Sequence, residues 1–397
     1  MSADALIAEL SAIHPKGYDL SLDRIRRLLV RLGDPQRNIP PAIHVAGTNG
    51  KGSTVAFCRA ILEAAGRTVH VHTSPHLVDW RERYRIGEPG GGRLVADPVL
   101  EAAIARVAEA NCGEPVTVFE ILSATMFLLF SEIPADFALV EVGLGGRFDA
   151  TNVIENPLVS VVTAIGLDHE AWLGDTPEKI AFEKAGIIKR GRPAVIAPQS
   201  DSVREVFAGV AARQGAPIFF CGQDFAFHGD AGRFIYQDER GLLDLPLPRL
   251  RGRHQFDNAA TAIAALRHAG LDLPEEAFEA GMDTVRWPGR FERLRRGRLE
   301  QLAPPLAELW IDGGHNPPAG EAVAAELAHL EERQTMPVFL IVGMLTTKNP
   351  TGFFRHFPGL VERVFTVPVP ESEAGFAPRE LARIAGDCGL EAHACLS

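Results

Sequence analysis

With 397 residues, 46% of them hydrophobic and 23% charged, the chain is long enough for two domains with separate cores and has an ordinary globular composition. Forty Lys and Arg against 51 Asp and Glu leave a formal net charge of −11. That argues against a nucleic-acid partner, which needs a basic face, but leaves room for a locally basic pocket for a small anion. Cys58, Cys112, Cys221, Cys388 and Cys395 are odd in number, scattered and without a C-x-x-C, so the expectation is a reducing, cytoplasmic setting. Asp4 and Glu9 interrupt the N-terminus, which therefore does not read as a signal peptide, and Ile121–Phe130 is too short to span a bilayer.

Leu22, Ile25, Leu28, Leu29 and Leu32 recur at helix spacing. Ile43–Ala46 then predicts a buried strand and Ser53–Ala65 a helix that Gly66 ends. Between them lies Gly47-Thr48-Asn49-Gly50-Lys51-Gly52-Ser53-Thr54. Three glycines allow a tight turn with inward-facing amides, and the following helix start favours anions. Lys51 can reach outer phosphates, while Ser53 or Thr54 can ligate Mg2+. Gly52 between Lys51 and Ser53 departs from the strict G-x-x-x-x-G-K-[ST] pattern.

Thr68–His72 predicts a second strand, ending in Thr73-Ser74-Pro75-His76-Leu77 at the end where open α/β sheets bind ligands. His70, His72 and His76 read as a polar strand face rather than a zinc site. Arg81–Gly92 reads as a mobile loop and Asp97–Ala110 as a helix. Thr117 and Glu120 have capping-box spacing at the start of an apolar helix through Phe130, so Glu120 is open to a capping or a substrate role. Asp136–Val142 predicts a buried parallel strand, and a carboxylate at its end, Glu141, is costly there without a cation. Gly143–Gly146 lacks the third glycine of a dinucleotide fingerprint, and Arg147–Asn152 completes a polar loop. Pro157–Ile165 predicts a strand ending in Gly166-Leu167-Asp168-His169. Thr176, Pro177 and Gly186 then bound a helix in whose last turn Lys184 reads as a cation favoured by the dipole.

Further strands are expected at 194–197 and 217–220 with a helix between, a hairpin over Asp224–Leu245, and a helix over His254–Ala269, with Asn258 near its start a candidate nucleotide contact. Trp287-Pro288-Gly289-Arg290 marks a boundary. A smaller α/β unit follows, with strands at 309–312, 338–342 and 364–367 and helices at 317–333 and 378–386. Asp312-Gly313-Gly314-His315-Asn316-Pro317, between a strand end and a Pro-started helix, reads as a ligand site. The fold expected is α/β: an N-terminal P-loop ATPase-type domain with a mostly parallel sheet over 1–287, and a smaller C-terminal Rossmann-like α/β domain over 288–397.

Taken in order, HVAGTNGKGS (44–53), TSPHL (73–77), TVFE (117–120), EVGLGGRFDATN (141–152), GLDH (166–169), EKAGIIK (183–189), WPGRFE (287–292) and DGGHNP (312–317) resemble the folylpolyglutamate synthase and dihydrofolate synthase family of the Mur ligase superfamily, of the bacterial bifunctional type. The resemblance runs from about Tyr18 to Thr366. It implies an ATP-dependent amide ligase that joins L-glutamate to dihydropteroate or a reduced folate through an acyl phosphate. It implies Mg2+, at two sites, on Ser74, Glu141 and His169 with Ser53 a further candidate, a K+ ion, and carbamylation of Lys184. Gly47–Thr54, Asn258, Arg290 and Asp312 fall on nucleotide contacts. Ser74, Pro75, His76, Phe119, Glu120, Asp149 and Ala150 fall on the acceptor side, and Lys51, Lys184, Asp312 and His315 on catalytic positions. Where family members commonly carry Lys-Asp after the strand near 343, this chain has Thr347-Lys348-Asn349. The competing readings are a ligase of the same fold acting on a cell-wall precursor and a nucleotide-binding module without ligation. The expected partners are small molecules only, and the expected state is a monomer without nucleic-acid or membrane contact.

Overall fold

The computed structural model describes residues 6–7, 21–333, 336–370, 372 and 374–396; Asp4, Glu9 and Tyr18 lie outside the described residues. The chain forms two compact units. The larger comprises Met1–Ile165, Glu178–Arg249 and Phe256–Arg286, and the smaller Gly166–Pro177, Leu250–Gln255 and Trp287–Ser397.

In the larger unit, β1 (Ala42–Ala46), β2 (Val69–His72), β3 (Tyr84–Ile86), β4 (Arg93–Leu94), β5 (Phe137–Glu141), β6 (Val159–Val162), β7 (Ala194–Ile196) and β8 (Ile218–Phe220) make one sheet in the order β4-β3-β2-β5-β1-β6-β7-β8. Six of these strands run parallel, because helices such as Lys51–Ala64, Val118–Glu132 and Asp201–Gln214 return the chain to the same edge. Strands covered on both faces read as unbroken apolar runs, and β1, β2 and β6 are buried along their whole length. The helix Val118–Glu132 is buried from Glu120 to Phe130 and sits in the core with Phe127 and Phe130 fully enclosed. Each such ring contributes roughly 2–3 kcal/mol through burial.

Parallel register does the positioning. Val45 stands opposite Glu141, Ala46 opposite Val162, and His72 opposite Val140. The segments that follow β1, β2, β5 and β6 therefore leave the sheet at one carboxyl edge.

Three expectations change. Arg81–Gly92 is ordered: Glu82 accepts the amides of Leu77, Val78 and Asp79, a 3-10 turn follows, and β3 pairs antiparallel with β2, burying Tyr84. The span 224–245 holds three strands rather than two, β9 (Phe225–Asp230), β10 (Arg233–Asp238) and β11 (Gly241–Pro246). The extra turn passes through Ala231 and Gly232, both at positive φ as a two-residue hairpin requires. The helix Glu275–Thr284, which no cap signal announced, packs Gly281 against Ile61 of the helix Lys51–Ala64.

The histidines on β1 and β2 are core residues. His44 Nε2 meets Thr151 Oγ1 at 2.8 Å, His70 bonds the Ile133 carbonyl and the Gly87 amide, and His72 Nδ1 bonds the Arg83 carbonyl. Among the described residues no three His, Cys, Asp or Glu side chains are grouped to hold a metal.

The smaller unit has an antiparallel pair, β12 (Glu292–Leu294) with β13 (Leu309–Ile311), and a parallel sheet of β14 (Phe339–Val342), β15 (Arg363–Thr366) and β16 (Ala392–Ala394). The helices Pro317–Arg333, Pro350–Phe354 and Pro378–Asp387 bring Phe353, Phe354, Phe357, Val364 and Leu381 into one core. No helix among the described residues is long and apolar enough to cross a membrane. The five cysteines are all free thiols.

Candidate active site

The loop after β1 is built by close approach. Gly47, at φ 148°, and Gly50, at φ 89°, stand where a Cβ would lie 1.8 Å from Thr163 Oγ1 and 2.2 Å from Asn258 Oδ1. Thr163 Oγ1 donates to the Asn49 carbonyl at 2.7 Å, and the Thr48 amide donates to the Ala164 carbonyl at 2.9 Å. The loop is thus clamped between the end of β6 and the helix His254–His268. Thr163 is a clamp the sequence reading missed, since only the β1–β6 pairing reveals it.

Lys51 opens the helix Lys51–Ala64 and folds back, its Nζ 3.0 Å from the Gly47 carbonyl and 3.2 Å from that of Thr48. Gly52, Ser53 and Thr54 are buried in the first turn. Thr54 Oγ1 lies 3.5 Å from Asn258 Oδ1, whereas Ser53 Oγ is buried without a hydrogen-bond partner among the described residues. A buried hydroxyl beside a helix start and a glycine loop is a donor set that fits a divalent cation carried with a polyphosphate.

Glu141, nearly buried at the end of β5, accepts the Ser74 amide through Oε2 at 3.3 Å. Two of the metal candidates, Ser74 and Glu141, therefore meet. Pro75 is exposed and His76 half-buried beside them. Arg83 donates from Nε to His76 Nδ1 at 2.9 Å, and burial lowers the guanidinium's pKa.

In the loop that follows β5, Asp149 is buried and turned onto its own backbone. Oδ2 accepts the amides of Gly143 and Leu144, and Oδ1 accepts the amide and hydroxyl of Thr151. Burial raises its pKa against these bonds, which favour the charged form. Asp149 thereby caps the 3-10 turn Ala150–Val153 that buries Ala150. Phe119 packs on the backbone of Gly143, where a Cβ would lie 2.3 Å from its ring. Glu120 closes the capping box with Thr117 and accepts Arg24 Nε at 3.1 Å on both oxygens. Asn152 bridges the Arg147 and Gly186 carbonyls, joining this loop to the helix Pro177–Ala185, in whose last turn Lys184 is buried.

In the smaller unit, Asp312 accepts the Phe291 amide at 2.8 Å and the Gly314 amide at 2.7 Å, tying the Arg290 segment to the strand end. Arg290 Nη1 lies against Gly313, where a Cβ would be 2.6 Å away. His315 Nδ1 bonds the Gly313 carbonyl and the ring is exposed. Asn316 Oδ1 accepts the Ala319 amide of the helix Pro317–Arg333. His169 follows Gly166–Asp168 in the same unit, at φ 53°. Asp168, whose role sequence reasoning missed, joins these segments. It accepts Lys348 Nζ at 2.8 Å and Asn316 Nδ2 at 3.1 Å, with His315 Nε2 at 3.7 Å. Burial alone would raise its pKa. The Lys348 hydrogen bond and the nearby His315 ring, with the charges of His169 and Lys348, outweigh that and hold the carboxyl far below its ordinary range. Asn349 caps the helix Pro350–Phe354 by accepting the Gly352 amide, a role an asparagine fills as well as an aspartate.

Residues 45–266 match the Mur ligase middle domain. The dihydrofolate synthase/folylpolyglutamate synthase of Escherichia coli is 34% identical over 383 residues, covering 96% of this chain and 85% of that protein. The chain belongs to the folylpolyglutamate synthase/dihydrofolate synthase family of Mur ligases. The Bacillus subtilis protein of the same name is 38% identical over 78% of this chain and 72% of its own. Escherichia coli FolC in complex with DHPP and ADP superposes with a TM-score of 0.89 at 32% identity, covering 100% of this chain and 89% of that one. A bifunctional family structure with Mn, AMPPNP and L-glutamate bound gives 0.86 at 31% identity, covering 99% of this chain and 89% of that one.

Proposed function

We propose that this family member joins L-glutamate to dihydropteroate and to reduced folates at the expense of ATP. The carrying observation is the clamped loop Gly47–Lys51 with Ser53 Oγ, buried and without a hydrogen-bond partner among the described residues, on the same sheet edge as Glu141 and Ser74. In this reading the loop amides and Lys51 receive the ATP phosphates, with Thr54 and Asn258 fixing the loop. The acceptor carboxylate attacks the γ-phosphorus, ADP leaves and an acyl phosphate forms. The amine of glutamate then attacks the acyl carbon, inorganic phosphate departs and the amine nitrogen gives up a proton. Ser53, Ser74 and Glu141 are the residues that would hold a divalent cation in the larger unit, with His169 a ligand candidate in the smaller. Such a cation supplies neutralisation of charge on the transferring phosphoryl group. Phe119 and the loop Gly143–Ala150 border the acceptor, Arg290 and Asp312 serve the nucleotide, and His315 serves the reaction. Lys184 is proposed to act as its carbamate, which turns a buried ammonium into an anion; intact-mass measurement of the native enzyme tests this.

The test of function is ADP formation with ATP and L-glutamate, using dihydropteroate and tetrahydrofolate in turn. Turnover with both is expected. ADP release with neither refutes the ligase reading, and release with tetrahydrofolate alone restricts it to polyglutamylation.

A further inference from the structure

Asp168 joins three segments far apart in sequence: Gly166–His169, Gly313–Pro317 and Thr347–Asn349. It lies 148 residues from Asn316 and 180 from Lys348. Both carboxylate oxygens are committed. Oδ1 accepts Lys348 Nζ at 2.8 Å and the His169 amide at 2.9 Å; Oδ2 accepts Asn316 Nδ2 at 3.1 Å and faces His315 Nε2 at 3.7 Å. Lys348 Nζ also stands 3.4 Å from His169 Nε2. His169 is held at φ 53°, a left-handed conformation that costs a non-glycine residue of order 1 kcal/mol and persists only where its surroundings impose it. The hydrogen bond from the His169 amide to Asp168, the Lys348 contact, and the Trp172 and Leu173 amides on the His169 carbonyl are among those surroundings.

Stability is a poor reason for this arrangement. The Asp168 and Lys348 side chains are only 11% and 9% exposed, and an enclosed ion pair generally contributes no more than an apolar pair of the same size. What the pair fixes is direction: the aim of two imidazoles on two different loops. We propose that Asp168, through Lys348 and Asn316, is a positioning residue of the ligase reaction that sets the His169 and His315 side chains in one geometry. This rests on the function proposed above, in which His169 is a cation ligand and His315 serves the reaction. Residues that orient a ligand side chain carry 10- to 100-fold of metal affinity or activity elsewhere, without touching substrate.

The test compares wild type, Asp168→Asn, Lys348→Met and the double variant, with two readouts. One is Mn2+ titration in the presence of a non-hydrolysable ATP analogue; the other is kcat and KM for L-glutamate. Asp168→Asn is expected to raise the Mn2+ concentration for half-saturation about tenfold and to lower kcat about 10- to 100-fold. The thermal midpoint should stay within a few degrees, and analogue affinity without metal should be unchanged. Lys348→Met should do the same, and the double variant should be no worse than the poorer single one, because the residues act as one unit. An unchanged Mn2+ curve in either single variant, or losses that multiply in the double variant, overturns the proposal. If Asp168→Asn does not fold, Lys348→Met still decides it. Absence of ADP release by wild type with any folate acceptor refutes the ligase reading instead, and is seen separately from the metal titration.

Discussion

Gly50 and Asn258 interlock: a single methyl group on Gly50 would stand 2.2 Å from Asn258 Oδ1 and 3.1 Å from its Cγ. The loop after β1 and the helix His254–His268, in contact through residues 208 positions apart, thus define each other's shape. Gly50→Ala combines this clash with a φ of 89° that alanine disfavours by roughly 1 kcal/mol. We expect more than tenfold weaker binding of an ATP analogue, measured by calorimetry. Gly90→Ala is the control, since Gly90 also has positive φ (82°) but no described residue within 4 Å of the added carbon. It should cost about 1 kcal/mol at most and leave binding intact. Equal behaviour of the two variants would mean that Asn258 does not shape the loop.

Lys51 supplies the loop's one full positive charge, and positioning outer phosphates is most of phosphoryl-transfer catalysis. Lys51→Ala should abolish ADP formation. Loss of its two bonds to Gly47 and Thr48 should cost no more than about 2–3 kcal/mol, so a folded protein is expected by circular dichroism. Near-normal turnover would remove the loop from the phosphate site.

Glu120 is engaged twice, by the capping box with Thr117 and by Arg24. Glu120→Ala removes the capping box's bond to the Thr117 amide and the carboxylate that Arg24 Nε meets, a loss of about 3 kcal/mol in urea unfolding. Glu120→Gln keeps the capping geometry and should lose roughly half as much. If the residue is a helix anchor, KM for dihydropteroate will not move in Glu120→Gln; a tenfold rise would assign it to substrate.

The features legible in the sequence were those fixed over a few residues. The Thr117–Glu120 box, the Gly47–Lys51 turn, and Pro177 and Pro378 in the first turns of their helices are local, so spacing alone announces them. Register then places Glu141 beside Val45, which the apolar run Phe137–Val140 made foreseeable. The Asp168–Lys348 pair and the Thr163 clamp were invisible because each joins segments more than a hundred residues apart, where no periodicity carries information. Direction was hidden too. Asp149 in a polar loop reads as facing a ligand, and nothing in its neighbours' identity says that four donors of its own loop enclose it.

His44 and His72 predict a steep acid limit. Burial, with the charges of Lys189 and Arg83 respectively, pushes each down to about 3 from 6.5. The folded pKa lies below the unfolded one, so the stabilisation is complete above pH 6.5 and is lost as pH falls towards 3. In that window these two rings bind two protons in the unfolded chain that they do not bind in the native state, contributing a slope of up to ~2.7 kcal/mol per pH unit. Urea midpoints at pH 7, 6, 5 and 4.5 should fall with increasing steepness, and His72→Gln should remove about half of that contribution. A flat profile between pH 6.5 and 5 would show that the two rings titrate normally.

Asp149 allows two outcomes for acceptor choice, and its geometry selects one. A carboxylate reading a pterin needs an oxygen free to accept, yet here Oδ1 takes the Thr151 amide at 2.9 Å and its hydroxyl at 2.5 Å, while Oδ2 takes the Gly143 and Leu144 amides at 3.0 and 2.8 Å. Asp149→Asn keeps one oxygen but places an NH2 group against donors: facing Thr151 it strands that residue's amide, although the hydroxyl can turn to accept, and facing Gly143 and Leu144 it strands two amides, at about 1–3 kcal/mol each. The amide group cannot turn to satisfy both sides. The loop that holds Ala150 and supports Phe119 through Gly143 should loosen as a whole. We therefore expect kcat/KM for dihydropteroate and for tetrahydrofolate to fall together, by more than tenfold, with KM for ATP little changed and a lower thermal midpoint. A loss confined to dihydropteroate, at unchanged thermal midpoint, would show instead that the carboxylate turns outward to read the pterin when the acceptor binds.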